Sequence, residues 1–350
     1  MKRSSKSTKK SFTSGKRGGK KKDDRREKGV FPSKYDLITI GSGLVDNLIY
    51  TGTEEKNGKI SFPSGSKIRI NNIEFNTGGG GTNTAVCASL LGLKAGFMGK
   101  IGQGNNADII KRELKKNKVD FIGAEGKTHT GYSAILETKN EDRTILTYKG
   151  ASDTLKFSEL KKSKIDTKWI HFTSMRGDAF ETQLQVAEYA KKQGIKLSYN
   201  PSSYQIKDKI SKVKKLLKKI DVLSLNKEEA KLLTKETKEN KIINSLLNLG
   251  PKIVCITNGS SEGLVSNGIK IYKFQPPKIK VKECTGAGDT FAASFITGII
   301  KNKTIEECIS IALTNTSSLI QKEGAKSGLL TWNKLQKQLR KIKITKPDLN

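Results

Sequence analysis

Residues 284–291 read Cys284-Thr285-Gly286-Ala287-Gly288-Asp289-Thr290-Phe291, and an apolar pattern (Phe291, Ala292, Ala293, Phe295, Ile296, Ile299, Ile300) follows at helical spacing. Two glycines permit a tight turn that exposes successive main-chain N–H groups. A glycine turn that opens a helix is a ready anion site, because unpaired N–H groups and the positive end of the helix dipole converge there. Asp289 falls in the first turn, where a carboxylate can accept a proton beside a bound phosphate. This arrangement suits phosphoryl transfer. Such turns also serve simply to start helices, and Asp is favoured there on structural grounds. The octapeptide alone leaves both readings open.

A second cluster, Gly78-Gly79-Gly80-Gly81-Thr82-Asn83-Thr84-Ala85, feeds a helix predicted over 82–91. Four consecutive glycines leave no side chain between a ligand and the main chain. Asn83 can both donate and accept toward a polyol. No Gly-Lys-Ser/Thr follows, so this is not a P-loop, and Thr84 breaks the Gly-x-Gly-x-x-Gly dinucleotide fingerprint.

Order is predicted to begin near Tyr35, with a buried strand at 35–41 (YDLITIG). Residues 48–76 alternate apolar and polar around Asn57-Gly58 and Ser64-Gly65, and 131–149 repeat the theme around 139–142; both read as hairpins that pair into a small separate sheet. Elsewhere strands are predicted at 95–99, 169–173, 196–199, 222–225, 252–257 and around 263–275. Helices are predicted at 106–117, 181–193, 207–219, across 227–249, and at 287–300 and 304–322. Strands separated by helices argue for a parallel sheet covered on both faces, with ligands outside the carboxyl ends of its strands.

The chain has 350 residues, enough for one large domain or two small ones. Its 66 Lys plus Arg against 34 Asp plus Glu give a formal net charge of +32. Residues 1–30 hold thirteen basic and three acidic side chains in a Ser/Gly/Lys-rich stretch, a composition that predicts disorder. Such a tail suits weak contact with nucleic acid or an anionic membrane, or plain solvation. With Phe12 its one aromatic residue, stacking on bases is poorly provided for, and solvation is the favoured reading. Cys87, Cys255, Cys284 and Cys308 are scattered without a CxxC pair, so neither zinc nor a disulfide framework is implied and a reducing cytoplasm fits. Two histidines, His129 and His171, argue against His-rich metal sites. No apolar run reaches the roughly 18 residues of a membrane span, and the basic start lacks the apolar stretch of a signal peptide.

Taken in one frame, these segments resemble the ribokinase-like (PfkB) carbohydrate kinases. The glycine-Asn segment, the two hairpins and CTGAGDTFAASF follow that family's order from about residue 35 to residue 330. The resemblance implies an α/β ribokinase-like fold: a mostly parallel sheet flanked by helices on both faces, with a small β-sheet lid from 47–76 and 131–150. It implies a kinase domain over 34–335, between the basic tail (1–33) and a basic C-terminal end (336–350). The implied reaction is ATP-dependent phosphorylation of a hydroxymethyl group on a sugar or sugar-like substrate, with Mg²⁺ required.

The same resemblance assigns roles. Asp289 would be the general base, and the backbone N–H groups of Gly286, Ala287 and Gly288 the anion hole. Asp46, Gly78, Gly79 and Asn83 would bind the sugar. Asn226 and Glu229, in LNKEEA, match an Asn-x-x-Glu motif that holds Mg²⁺ through water beside the nucleotide. Thr257, Asn258, Gly259 and Ser260 match a nucleotide-binding turn; Gly324 and Ala325 would lie near the adenine, with Asn315 a further candidate. Read singly, Asp46 is a strand end, Asn226 and Glu229 a helix start, and 257–260 an ordinary turn.

Three departures stand out. Glu283-Cys284 replaces Asp-Thr ahead of the anion hole, at a position where many members help bind a potassium ion, so Glu283 is a candidate monovalent-cation ligand. Thr173-Ser174-Met175-Arg176 stand where ribokinases proper carry a sugar-binding acid, and Gly80 replaces their Lys. The pocket is thereby enlarged or neutralised. A nucleoside kinase acting on the 5′-hydroxyl is the alternative enzyme; a nucleic-acid-associated basic protein with a vestigial kinase fold is the alternative of another class. Exposed apolar strand faces in the lid suit a homodimer.

Overall fold

Short apolar runs punctuated by glycine and separated by amphipathic stretches fold here into strands alternating with helices. The structure, a computed structural model, describes residues 33–139 and 143–346. The basic stretch 1–32, on which the tail and nucleic-acid expectations rest, lies outside the described residues, as do 347–350. The strands are β1 (Leu37–Ile40), β2 (Leu44–Tyr50), β3 (Asn72–Gly78), β4 (Ala95–Phe97), β5 (Lys100–Gln103), β6 (Asp120–Phe121), β7 (Ala124–Glu137), β8 (Arg143–Gly150), β9 (Trp169–Thr173), β10 (Lys196–Asn200), β11 (Val222–Asn226), β12 (Ile253–Thr257), β13 (Gly263–Ser266), β14 (Ile271–Phe274) and β15 (Ile344–Thr345). The helices are α1 (Gly80–Leu90), α2 (Asn105–Lys116), α3 (Gly177–Lys192), α4 (Ser203–Leu217), α5 (Lys227–Thr234), α6 (Glu239–Asn248), α7 (Ala287–Ile300), α8 (Ile305–Leu319) and α9 (Trp332–Lys337).

The main sheet runs β15-β14-β13-β12-β11-β10-β9-β1-β4-β6. From β6 to β12 neighbours are parallel; β13, β14 and β15 close one side antiparallel. Alternate side chains leave opposite faces of a strand. Leu37, Trp169, Val222 and Cys255 therefore pack toward α1, α7 and α8, while Ile38, Ile170, Leu223 and Val254 pack toward α3, α4, α5 and α6. Burial on both faces explains why these strands read as continuous apolar runs rather than alternating ones.

A second, five-stranded sheet runs β3-β2-β7-β5, with β8 on the other side of β7. Asp46, Ser133 and Thr147 stand opposite one another across β2, β7 and β8, so they share one face; Asn47, Ala134 and Leu146 share the other, with Phe75 of β3. Phe75, Leu146 and Tyr148 are exposed.

Two expectations need correction. The stretch predicted as hairpin strands over 48–76 holds strand only at its ends: β2 starts earlier, and between β2 and β3 there is an isolated bridge, Lys56 with Lys59. Pro63, which has no N–H to give to a ladder, interrupts the alternation there. Of the basic end at 336–350, the described part, to residue 346, joins the domain, because β15 pairs with β14 and Ile342 and Ile344 pack on the core.

Backbone contact sets the junction between β1, β9 and α1. A Cβ at Gly41 would stand 2.0 Å from Thr173 Oγ1 and 2.7 Å from the Gly81 main chain, while Gly81 N–H donates to Ser42 O at 3.0 Å. Gly41→Ala should cost about 1–3 kcal/mol, the usual penalty for overpacking, read as a lower urea midpoint at unchanged slope. An unchanged midpoint would show the junction to be slack.

Candidate active site

A cavity of about 330 Å³ opens at the carboxyl edge of the main sheet. Thr173, Asn200, Asn226 and Thr257, the last residues of β9, β10, β11 and β12, line one wall; Gly286, Ala287, Gly288 and Asp289 at the start of α7 line the other. Parallel strands ending together create this crevice. Lys149, from the end of β8, reaches the cavity from the small sheet.

Gly286 caps α7 with φ +77°, and a Cβ there would meet Ala325 at 3.0 Å, so both conformation and space call for glycine. One turn in, Asp289 Oδ2 accepts a hydrogen bond from Asn83 Nδ2 at 2.9 Å. This joins two residues 206 apart in sequence, each in the first turn of a glycine-led helix. Loss of hydration pushes the Asp289 carboxyl above its ordinary range; the Asn83 hydrogen bond and the charges of Lys326 and Lys149 pull the other way. Ala287 N–H donates to Cys284 O at 3.1 Å within the turn. The N–H groups of Gly286 and Gly288 make no such bond among the described residues.

On the other side, the Asp46 carboxylate lies directly over Gly78: a Cβ there would stand 1.9 Å from Asp46 Oδ2. Burial raises the Asp46 carboxyl; a Ser133 hydrogen bond and the charges of Lys326 and Lys149 oppose it. Gly79 (φ +94°) caps α1. Asn83 Oδ1 and Thr173 Oγ1 are buried without a hydrogen-bond partner in the protein.

Lys326, which sequence reasoning missed, enters from the turn after α8. Its Nζ donates to Thr77 O (2.7 Å), Thr77 Oγ1 (2.8 Å) and Thr82 Oγ1 (3.3 Å). Burial lowers its ammonium to about 8, against the opposing charges of Glu113, Asp46 and Asp289. Lys149, Asn200 and Tyr204 were missed too. The one signal available was position: Lys326 directly follows Gly324-Ala325, and Asn200 ends a strand before Pro201.

Asn226 and Glu229 form a capping box at α5: Glu229 N–H donates to Asn226 Oδ1 (2.8 Å), and Asn226 N–H to Glu229 Oε2 (3.0 Å). Both also line the cavity, so the motif serves the helix start and faces the site at once. Among the described residues no three acidic, Cys or His side chains cluster as a metal cage. These donors fit a Mg²⁺ that arrives with phosphates and keeps its waters. Beyond Thr257, the turn Asn258-Gly259-Ser260 continues outside the cavity wall toward solvent.

One candidate is corrected. Asn315 is fully buried, donating to Ser294 Oγ (2.9 Å) and Cys87 Sγ (3.3 Å) and accepting from Leu330 N–H (2.9 Å), so it braces helices and cannot touch a nucleotide. Glu283 is engaged within the protein. Its Oε1 accepts from Thr285 Oγ1 (2.5 Å) and pairs with Arg143 Nη1 (2.7 Å), and its Oε2 accepts from Gly324 N–H (2.6 Å). Ala325 packs against Gly286, Gly324 N–H donates to Glu283, and neither is among the cavity-lining residues.

Known proteins resemble this chain in sequence and in fold. Residues 46–332 match the pfkB family carbohydrate kinase domain. An ATP-dependent 6-phosphofructokinase of Thermoanaerobacterium thermosaccharolyticum is 26% identical over 311 residues, covering 85% of this chain and 92% of that protein. A ribokinase of Haemophilus influenzae is 27% identical, covering 84% of this chain and 95% of that protein. Among solved structures, a ribokinase of Thermotoga maritima shares the fold with a TM-score of 0.76 at 21% identity, covering 87% of this chain and 99% of that one. This chain belongs to the pfkB family of carbohydrate kinases and is an ATP-dependent kinase.

Proposed function

We propose that the chain phosphorylates a hydroxymethyl group of a sugar or sugar-like alcohol, with Asp289 as general base. The observation that carries this reading is the Asn83–Asp289 hydrogen bond at the cavity floor, which sets an acid beside a glycine-led helix start. Asp289 takes the hydroxyl proton as that oxygen attacks the γ-phosphorus of ATP; the bond from phosphorus to the β,γ-bridging oxygen breaks and ADP leaves. The N–H groups of Gly286 and Gly288, and that of Ala287 once turned from Cys284 O, receive charge on the moving phosphoryl. Asp46 accepts from sugar hydroxyls, and the unpartnered Asn83 Oδ1 and Thr173 Oγ1 supply further polar contacts. Asn226 and Glu229 hold Mg²⁺ through water, and bound Mg²⁺ neutralises phosphate charge. Thr257 and the turn after it contact the nucleotide, with Gly324 and Ala325 at its adenine end. The small sheet acts as a lid that excludes water.

A 5′-hydroxyl nucleoside kinase is the second reading. Tyr204 offers an aromatic ring at the cavity edge, held through Ser174 Oγ at 2.7 Å, and a base needs such a surface. Nothing in the family match supports the nucleic-acid-associated alternative. The exposed face carrying Phe75, Leu146 and Tyr148 suits a second copy of this chain, and sedimentation equilibrium tests that; a monomer at every concentration removes it.

ADP release measured side by side on hexoses, ribose, sugar phosphates and nucleosides tests the substrate reading; turnover confined to nucleosides reverses the choice. Asp289→Asn should lower kcat at least about 100-fold with little change in ATP affinity, as for loss of a general base. Because burial raises the Asp289 carboxyl and the base must be ionised, kcat/KM should fall on the acid side above the ordinary carboxylate range. Asn83→Ala removes a hydrogen bond that favours the ionised form, so its acid limb should move to higher pH. A limb that stays in place would separate Asn83 from the titrating group.

A further inference from the structure

Arg143, at the start of β8, is the feature the proposed chemistry does not use. Its guanidinium bridges two carboxylates: Nη2 lies 2.8 Å from Glu137 Oε2 in β7, and Nη1 lies 2.7 Å from Glu283 Oε1, three residues before Gly286. Side-chain exposure is 19% for Arg143 and 8% for each glutamate, so this is an interior cluster rather than a surface ion pair. Buried pairs of this kind depend on both partners, because removing one strands the other charge in a poorly hydrated place. Arg143 lies on the face of the small sheet that carries Asp46 and Ser133, with Glu137 directly across from it. On the same face Tyr50 Oη donates to Glu323 Oε2 at 3.4 Å, beside Gly324. The far end of the small sheet thus rests on the two turns, 283–285 and 323–324, that hold the anion-hole loop.

Glu283 ties these turns together. It accepts from Thr285 Oγ1 and Gly324 N–H while facing Arg143. A planar guanidinium with fixed donors orients a carboxylate more tightly than a spherical ion can. Oε1 and Oε2 are both engaged by donors within the protein, and the cation beside Glu283 is a guanidinium that it shares with Glu137. Burial alone would raise the Glu283 carboxyl, but the Gly324, Thr285 and Arg143 contacts outweigh it and hold the group below its ordinary range.

We propose that Arg143 is a positioning residue for the anion hole: an internal cation, carried by the small sheet, that orders residues 283–288 and makes this kinase independent of potassium. This rests on the phosphotransfer reading, and it couples a formed anion hole to a small sheet seated on it.

The test compares the full chain in KCl, NaCl and tetramethylammonium chloride at one ionic strength, by thermal unfolding and by ADP release. A cation that binds the folded state raises its Tm with concentration. The wild type is expected to show the same Tm and the same kcat in all three salts. A Tm or kcat raised by K⁺ overturns the proposal. Arg143→Ala should lose about tenfold or more in kcat, as when a reacting group is misplaced, and should recover turnover and Tm with K⁺ or guanidinium ion. Arg143→Lys, which keeps the charge without the fork, should fall between. Wild-type kcat in Arg143→Ala, or a folded variant unresponsive to both ions, overturns the assignment. Should no acceptor be phosphorylated, the phosphotransfer reading fails, while the Tm series on wild type and Arg143→Ala still decides whether Arg143 stands in for a cation.

Discussion

The site depends on one hydrogen bond, from Asn83 Nδ2 to Asp289 Oδ2. Two helices, α1 and α7, begin at the same place from glycine turns, so the positive ends of both converge on one carboxylate. Placing an acid in a poorly hydrated cavity is costly unless such partners surround it. The two helices hold their positions because they pack side by side, Cys87 of α1 against Ser294 of α7 at 3.5 Å, with Asn315 of α8 bonded to both. A small buried polar network away from the cavity therefore fixes the geometry within it.

The cations around this acid come from outside the parallel sheet. Lys149 belongs to the small sheet and Lys326 to the turn after α8, yet both act on Asp46 and on Asp289. Lys326 is anchored by the Thr77 carbonyl and by hydroxyls at the base of β3 and α1, so its charge stays where the two carboxylates need it. The sheet edge supplies shape and main-chain donors. The peripheral segments supply the balance of charge.

What could be read from the sequence is what the backbone itself demands. Glycine at 286 answers to a positive φ and a close neighbour, and glycine at 78 to the carboxylate lying over it, so these positions are written in residue type. The parallel strands were legible because burial on both faces leaves an unbroken apolar run. Long cations were not: the partners of Arg143, Lys149 and Lys326 are chosen by how distant segments meet, and nothing local marks them among 66 basic residues. Asn315 misled because a polar residue on an apolar helix looks alike whether it faces a ligand or satisfies neighbours in the core. Asn226 and Glu229 were ambiguous for a sound reason, since one pair of side chains caps a helix and lines the cavity. β15 was hidden by the charge around it.

How the small sheet attaches explains why its far end matters. β2 leaves β1 after Gly41, Ser42 and Gly43, so the sheet hangs from the same glycine segment that packs on α1. The chain returns from β8 through Ser152, fully buried, whose Oγ accepts from Gly43 N–H (3.3 Å) and donates to Gly43 O (3.2 Å). At this base main chain is bonded to buried side chain. At the opposite end Arg143 and Tyr50 meet the turns beside Gly286. The small sheet is thus held at its root by buried hydrogen bonds and at its rim by a charge cluster. That cluster includes Glu283, three residues from Gly286, so the rim of the small sheet and the glycine turn that opens α7 are joined through the same few atoms.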